Sequence, residues 1–349
     1  MKPVTKCRIW NVVASFAIVL LLLAFPDLAP SHSAERTVIN LREYGFPPDL
    51  DIKLGVVYLS SNRLLLFFDQ RLPDAGPQSH AIRLIVLNSD GEATAQLVVR
   101  GDPEALDLTV GPDGGVLSGR EGKLDFYDSK LQLQRSIPLA AGTTGIRFDR
   151  QRDQLVIVTV DRQSGQRTAH FRSGKTLEES AALSYPIKSY AVFGENQVVY
   201  TTTGKCEGAA HVVSNQVSWR LPDKFPTCSP LVFVTRETLA FAVDGQMFVV
   251  DSNGKKLLQV RIPAPGTFES PRFVGLSDDG TRLAISALQR KETSSGWPYY
   301  AEVFVYDLVS KRMIFRHALQ QGSVSMALSP DGHQLATIES GILTVMPVP

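Results

Sequence analysis

The chain has 349 residues, 44% of them hydrophobic, and its 36 lysines and arginines against 35 aspartates and glutamates leave a formal charge of +1. Such a balance lacks the basic excess that nucleic acid or an anionic membrane surface requires, and the length allows one large core or two domains. Periodicity has to decide between these.

Taken in order, Lys2, Lys6 and Arg8 lead into an apolar run from Val12 to Phe25, followed by Pro26, Asp27, Pro30 and then small residues. The run falls short of the roughly twenty residues a spanning helix needs, so residues 1–34 read as a signal peptide cut after Ser33 or Ala34, with an uncleaved N-terminal anchor as the competing reading. Cys7 precedes the apolar run, which argues against a lipid-anchored lipoprotein. Removing residues 1–34 takes away three basic residues and Asp27, bringing the formal charge from +1 to −1. Residues 35–349 contain no second run of spanning length, and the mature chain is expected in the periplasm or outside the cell.

From Val56 onward, short runs rich in Val, Ile, Leu and Phe alternate with tight turns. Asp90-Gly91, Asp113-Gly114, Asp244-Gly245, Asn253-Gly254, Asp279-Gly280 and Asp331-Gly332 fall between such runs and supply the positive φ that hairpin turns need. An apolar strand ending in a polar residue recurs at Leu84–Asn88, Leu124–Asp128, His170–Arg172, His211–Ser214, Phe248–Asp251, Val303–Asp307 and Ile342–Met346. Successive ends lie 40, 44, 42, 37, 56 and, counted to Pro347, 40 residues apart, the period of a four-stranded propeller blade. One such sheet cannot bury both of its faces, so neighbouring sheets must cover them and the row closes as a ring.

Counting gives an all-β propeller of seven blades, at 56–99, 106–139, 145–181, 189–221, 230–262, 272–319 and 324–349, in a single domain over 35–349. Six or eight are the alternatives, because 145–181 and 189–221 carry weak turn signals. The last blade has room for three strands. Arg36–Leu41 is expected to supply its fourth, closing the ring and removing an unpaired edge.

Leu328-Ser329-Pro330-Asp331-Gly332-His333-Gln334-Leu335-Ala336 and Leu276-Ser277-Asp278-Asp279-Gly280-Thr281-Arg282-Leu283-Ala284 resemble the Ser-Pro-Asp-Gly repeat of WD40-like, TolB-type propellers, and Val110-Gly111-Pro112-Asp113-Gly114-Gly115-Val116-Leu117 is a weaker copy. The motif places an apolar inner strand before a turn in which Gly takes the left-handed conformation, then a second apolar strand. The Gly-His and Trp-Asp pairs of true WD40 repeats are absent, and the resemblance implies a fold more than an activity.

The resemblance also implies that loops joining second to third strands share a face with the links between blades. Two such loops are long: Asp69–Ala81, with Arg71, Pro73, Asp74, Pro77 and His80, and Leu288–Tyr300, with Arg290, Lys291, Glu292, Trp297, Tyr299 and Tyr300. They belong to blades one and six, which flank blade seven and its minimal Glu339-Ser340-Gly341 loop, so they should wall a notch. Trp297, Tyr299 and Tyr300 suit a binding surface, since aromatic rings offer wide contact with few rotors to freeze; the alternative is that they pin the loop to the rim. Arg71, Asp74, Arg290 and Lys291 read equally as solvated charges, and His80 as a spectator in a proline-bracketed loop.

Cys206 and Cys228, 22 residues apart in loops of that same face, invite a disulfide in an exported chain, with two free thiols as the alternative. Phosphate-loop, zinc-protease, nucleophile-elbow and Cys-x-x-Cys motifs are absent, and no metal or cofactor is expected. His170, His211, His317 and His333 fall at scattered strand or turn positions, while Asp128, Asp251 and Asp307 are explained by capping hairpins. The sequence therefore reads as a non-enzymatic binding module presenting one loop-rich face to a protein, peptide or glycan. The alternative is a lactonase-like hydrolase or quinone-dependent dehydrogenase with its site on the ring axis, a reading the apolar inner strands Val56–Leu59, Phe273–Leu276 and Met326–Leu328 disfavour. A third reading is a docking subunit of a larger envelope assembly.

Overall fold

The computed structural model describes residues 36–46, 54–71, 80–100, 107–120, 122–187, 189–202, 210–214, 218–220, 231–235, 238–243, 245–251, 253–262, 267–290, 299–319 and 325–349. The chain enters as a short strand, β1 (Thr37–Asn40), whose place in the fold is decided only at the other end of the sequence. Blade 1 is β2 (Leu54–Ser60), β3 (Arg63–Arg71), β4 (His80–Asn88) and β5 (Ala93–Arg100); blade 2 is β6 (Asp107–Val110), β7 (Val116–Arg120), β8 (Lys123–Tyr127) and β9 (Leu133–Pro138). Blade 3 is β10 (Thr143–Asp149), β11 (Gln154–Asp161), β12 (Gln166–Ser173) and β13 (Glu179–Pro186); blade 4 is β14 (Ser189–Gly194), β15 (Gln197–Thr202), β16 (Ala210–Ser214) and β17 (Ser218–Arg220). Blade 5 is β18 (Leu231–Thr235), β19 (Thr238–Val243), β20 (Gln246–Asp251) and β21 (Lys256–Arg261); blade 6 is β22 (Thr267–Leu276), β23 (Arg282–Arg290), β24 (Tyr299–Asp307) and β25 (Arg312–Leu319). Blade 7 takes β26 (Ser325–Leu328), β27 (Gln334–Glu339) and β28 (Ile342–Pro347) from the C-terminus and β1 as its outermost strand.

Among the described residues these strands form seven four-stranded antiparallel sheets. The closing strand pairs Thr37 with Val345 and Asn40 with Ile342, so the first and last described strands lie in one sheet, as the Arg36–Leu41 segment suggested. The strand stops one residue early. Asn40 Oδ1 accepts the Arg42 N–H, and Leu41–Tyr44 coil into a 3-10 turn that ends on Gly45 in the left-handed region.

The reason for a ring is visible in the alternation along each strand, because odd and even residues serve different neighbours. In β3, Leu64, Leu66 and Phe68 pack toward blade 7, while Leu65 packs toward blade 2. In β23, Leu283, Ile285 and Ala287 face blade 5, while Ala284 faces blade 7. Both faces being buried, the strands read as continuous apolar runs rather than as alternating ones. Among the described residues seven apolar clusters result, one in each gap between consecutive blades, including the gap between blades 7 and 1.

The recurring polar strand ends and the Ser-x-Asp-Gly turns have a local cause. Asn88 and Asp251 end third strands and Asp128 directly follows one, and one side-chain oxygen of each accepts two backbone N–H groups of the turn that follows. At the first-to-second turn of blade 7, the buried Ser329 hydroxyl donates to Asp331 Oδ1 at 2.6 Å and accepts the Gln334 N–H, while Gly332 sits at φ 74°. Ser277, Asp279, Gly280 and Arg282 repeat that arrangement in blade 6. The two turns are joined by the Asp278 N–H to the Pro330 carbonyl.

Candidate functional site

Up-and-down strands put the first-to-second and third-to-fourth turns at one end of the sheets, and the second-to-third turns and blade links at the other. At the latter end the loops expected at Asp69–Ala81 and Leu288–Tyr300 are shorter than the sequence suggested. Pairing continues to Arg71 opposite His80 and to Arg290 opposite Tyr299, with Gln289 opposite Tyr300. An extended chain leaves its N–H and C=O groups unpaired unless the ladder runs on, which is why these residues are strand and not loop. His80 accordingly opens β4 and does not ride in a loop. Asp74, Lys291, Trp297, Cys206 and Cys228 lie outside the described residues, and Arg71, His80, Arg290, Tyr299 and Tyr300 are placed here by backbone only.

Two arms nonetheless flank blade 7. The strands β3 and β23 are nine residues long, against six in β27. The three extra residues amount to about 10 Å of rise at ~3.4 Å each. All three strands start from first-to-second turns, so the excess emerges at the end of the blade links. The low ground between the arms has a floor that sequence reasoning missed. Leu41 N–H donates to the Gly341 carbonyl of the β27–β28 turn at 2.9 Å, and Phe46 N–H returns to the Leu41 carbonyl. Phe46 meets Phe68 edge-on at 5.5 Å between ring centres. Gly341, at φ 78°, leaves the room the Phe46 ring takes: a Cβ there would lie 3.2 Å from that ring. Arg42 and Glu43 face solvent above this floor.

At the opposite end of the inner strands lies a cavity of about 590 Å³ on the ring axis, with walls from all seven blades. Val57, Val110, Val192, Phe193, Val232 and Phe233 contribute apolar surface, and the blade 3 turn contributes Arg147 to Arg152. That turn reaches non-neighbouring blades. Arg150 Nη1 donates to the Leu59 carbonyl of blade 1 at 3.0 Å, Arg150 Nη2 to Asp278 of blade 6 at 3.0 Å, and Gln151 Nε2 to the Ser277 carbonyl at 2.9 Å. Arg152 is paired with Asp149 in the same turn, and Arg147 with Asp107 at 3.2 Å. The Asp107 carboxylate also accepts the Ile146 N–H at 2.6 Å, tying blade 2 to blade 3.

The titratable groups are explained by structure. Burial, and then the charge of Asp331, push the Tyr58 phenol up. Burial alone pushes Tyr306 up to about 12. Burial also works against the Asp331 carboxylate, but bonds from Ser329, the His333 N–H and Ser61 outweigh it and hold the carboxyl below the usual range. Asp125, almost fully buried on β8, is likewise held low despite its burial by Ser136 at 2.6 Å and by Lys123 and Arg120. The histidines stand where the sequence put them, on strands and a turn. His170 bonds Thr159 and Glu179, His211 stacks on Tyr200 at 5.1 Å, His317 lies 4.0 Å from Glu339, and His333 meets Arg282. Among the described residues, no three His, Cys, Asp or Glu side chains gather at a metal-binding spacing.

Seven stacked sheets, shared interblade cores and the closing N-terminal strand define a β-propeller. No protein-family model matches the sequence, and no curated protein matches it. Solved structures do. The chain is similar to a chain of the mitotic checkpoint complex, with TM-score 0.52 at 15% identity over 92% of this chain and 96% of that one. It is similar to an oligogalacturonate lyase in complex with manganese, with TM-score 0.54 at 11% identity over 89% and 93%. For the acylaminoacyl peptidase of Pyrococcus horikoshii the TM-score is 0.56 at 8% identity, over 82% of this chain and 48% of the peptidase. At these identities the likeness is one of fold.

Proposed function

We propose that this propeller is an exported, non-enzymatic binding module that holds a protein, peptide or glycan at the end of the molecule carrying the blade links. The observation that supports it is the pair of long arms, β3–β4 and β23–β24, standing on either side of the short β27–β28 hairpin. In this reading Trp297, Tyr299, Tyr300, Arg290 and Lys291 line one arm, and Arg71, Asp74 and His80 the other. A recess between raised walls excludes water around a small number of aromatic anchors, the arrangement in which most binding energy concentrates. The structural likenesses include a member of a protein complex, a lyase and a peptidase, and so leave the choice to the site itself. On the axis an apolar side faces the charged blade 3 turn, and the carboxylates Asp149 and Asp278 are each held by an arginine, which favours binding over hydrolytic or redox chemistry there.

Peptide and glycan arrays screened with the mature protein test this directly. A variant in which residues 289–300 are replaced by an Asn-Gly turn should lose the array signal while unfolding at nearly the same temperature. Retention of the signal by the folded variant, or no signal from the wild type, overturns the reading. Mass analysis of the secreted chain should show it beginning at Ala34 or Glu35.

A further inference from the structure

We propose that the axial cavity is a site for one small, uncharged, apolar molecule, and that the blade 3 turn is a bar across it. The site is at the opposite end of the inner strands from the notch and does not depend on that reading. Its volume of about 590 Å³ lies within the roughly 300–1,000 Å³ of small-molecule sites, whose walls are mostly apolar. Half-buried side chains of inner strands, among them Val57, Val110, Val192, Phe193 and Val232, leave part of their surface facing this space rather than a neighbouring blade. Placing an apolar group against them continues the burial that the interblade clusters began, at about 25 cal/mol for each Å² covered.

The charges around the cavity select against a charged guest. Arg147 is matched by Asp107, Arg150 by Asp278 and Arg152 by Asp149, so the rim is electrically closed. A carboxylate or ammonium group would have to compete with these existing pairs for the same arginines or aspartates. The bar is the same set of contacts seen from outside. Arg150 and Gln151 extend from blade 3 to blades 1 and 6, and no neighbouring-blade packing requires them to do so. Asp278 is 44% exposed, so its bond to Arg150 is the bar's most easily opened fastening.

Fluorescence titration with the uncharged dye N-phenyl-1-naphthylamine tests both parts, with anionic anilinonaphthalene sulfonate as the comparison. The expected result is saturable binding of one dye per chain, at least about tenfold tighter than the anionic dye. Val57→Phe and Val110→Phe fill the cavity from two different blades. Each should weaken dye binding by about tenfold or more while the unfolding temperature stays near that of wild type. Asp278→Asn should speed dye association severalfold. Non-saturable binding, equal affinity for the two dyes, or undiminished affinity in a folded Val57→Phe or Val110→Phe protein overturns the site; an unchanged association rate in Asp278→Asn overturns the bar.

Discussion

Replacing Leu41 by alanine removes a side chain that is fully buried in the cluster shared by blades 7 and 1, where it lies with Phe46, Phe68 and Leu343. Leu→Ala at such a position costs about 2–5 kcal/mol, the larger values belonging to sites that cannot collapse. Here the surroundings are fixed by two sheets and by the Leu41–Gly341 and Phe46–Leu41 backbone bonds, so about 3–4 kcal/mol is the expected loss. Val38 provides the control within the same segment. It is 57% exposed on β1, and Val38→Ala should change stability by less than about 0.5 kcal/mol. Ile39→Ala, with Ile39 in the same cluster as Leu41, should fall between the two. Urea unfolding of the three variants, compared at constant slope, reads these differences as midpoint shifts. A Leu41→Ala protein within about 1 kcal/mol of wild type, or a Val38→Ala protein as damaged as Leu41→Ala, would refute closure of the ring by the N-terminal segment.

Three further expectations concern single groups. Asp125 has a depressed folded-state pKa, so its contribution is fully present above the ordinary carboxylate value and is lost as the pH falls through the folded value; Asp125→Asn should cost about 2 kcal/mol at pH 7 and much less at pH 2, as read by urea unfolding at both. The Tyr306 hydroxyl is buried with no hydrogen-bond partner among the described residues, so Tyr306→Phe should raise stability by about 1 kcal/mol, and a comparable loss would show that the hydroxyl is satisfied. If the chain is exported as proposed, Cys206 and Cys228 should resist thiol alkylation until reduced, and a bridge between them should add about 3 kcal/mol if unstrained; free reactivity in the native protein would show two thiols.

The sequence made the blades legible because each carries its own local markers. Asn88, Asp128 and Asp251 stand at or just after the ends of third strands, where a carboxyl or amide oxygen organises a turn, and turn glycines such as Gly280 and Gly332 are needed at positive φ, so forty-residue spacing could be counted from chemistry alone. The missing fourth strand of blade 7 was legible for a similar reason, since three strands leave an edge and only the N-terminus was unassigned. Strand ends in the two long hairpins were not, because Asp69–Arg71 is wholly polar and Leu288–Arg290 mostly so, and neither reads as strand from its own residues. The floor of the notch depends on Phe46 reaching Phe68 and the Gly341 turn, and the axial bar on Arg150 reaching blades 1 and 6. Contacts across a ring leave no period in the sequence: Arg150-Gln151-Arg152 looks like any charged hairpin turn until the ring brings its partners within reach.

Hydrogen exchange followed by mass spectrometry on the segment 36–46 tests the central claim most directly. If the first strand completes the last blade, the alternate amides that it directs at β28, together with the Leu41 N–H bonded to Gly341, should exchange as slowly as those of Ile342–Pro347, opening only when the whole ring opens. Exchange of 36–46 within seconds, beside a protected 342–347, would mean that the seventh sheet ends at three strands and that β1 does not close it.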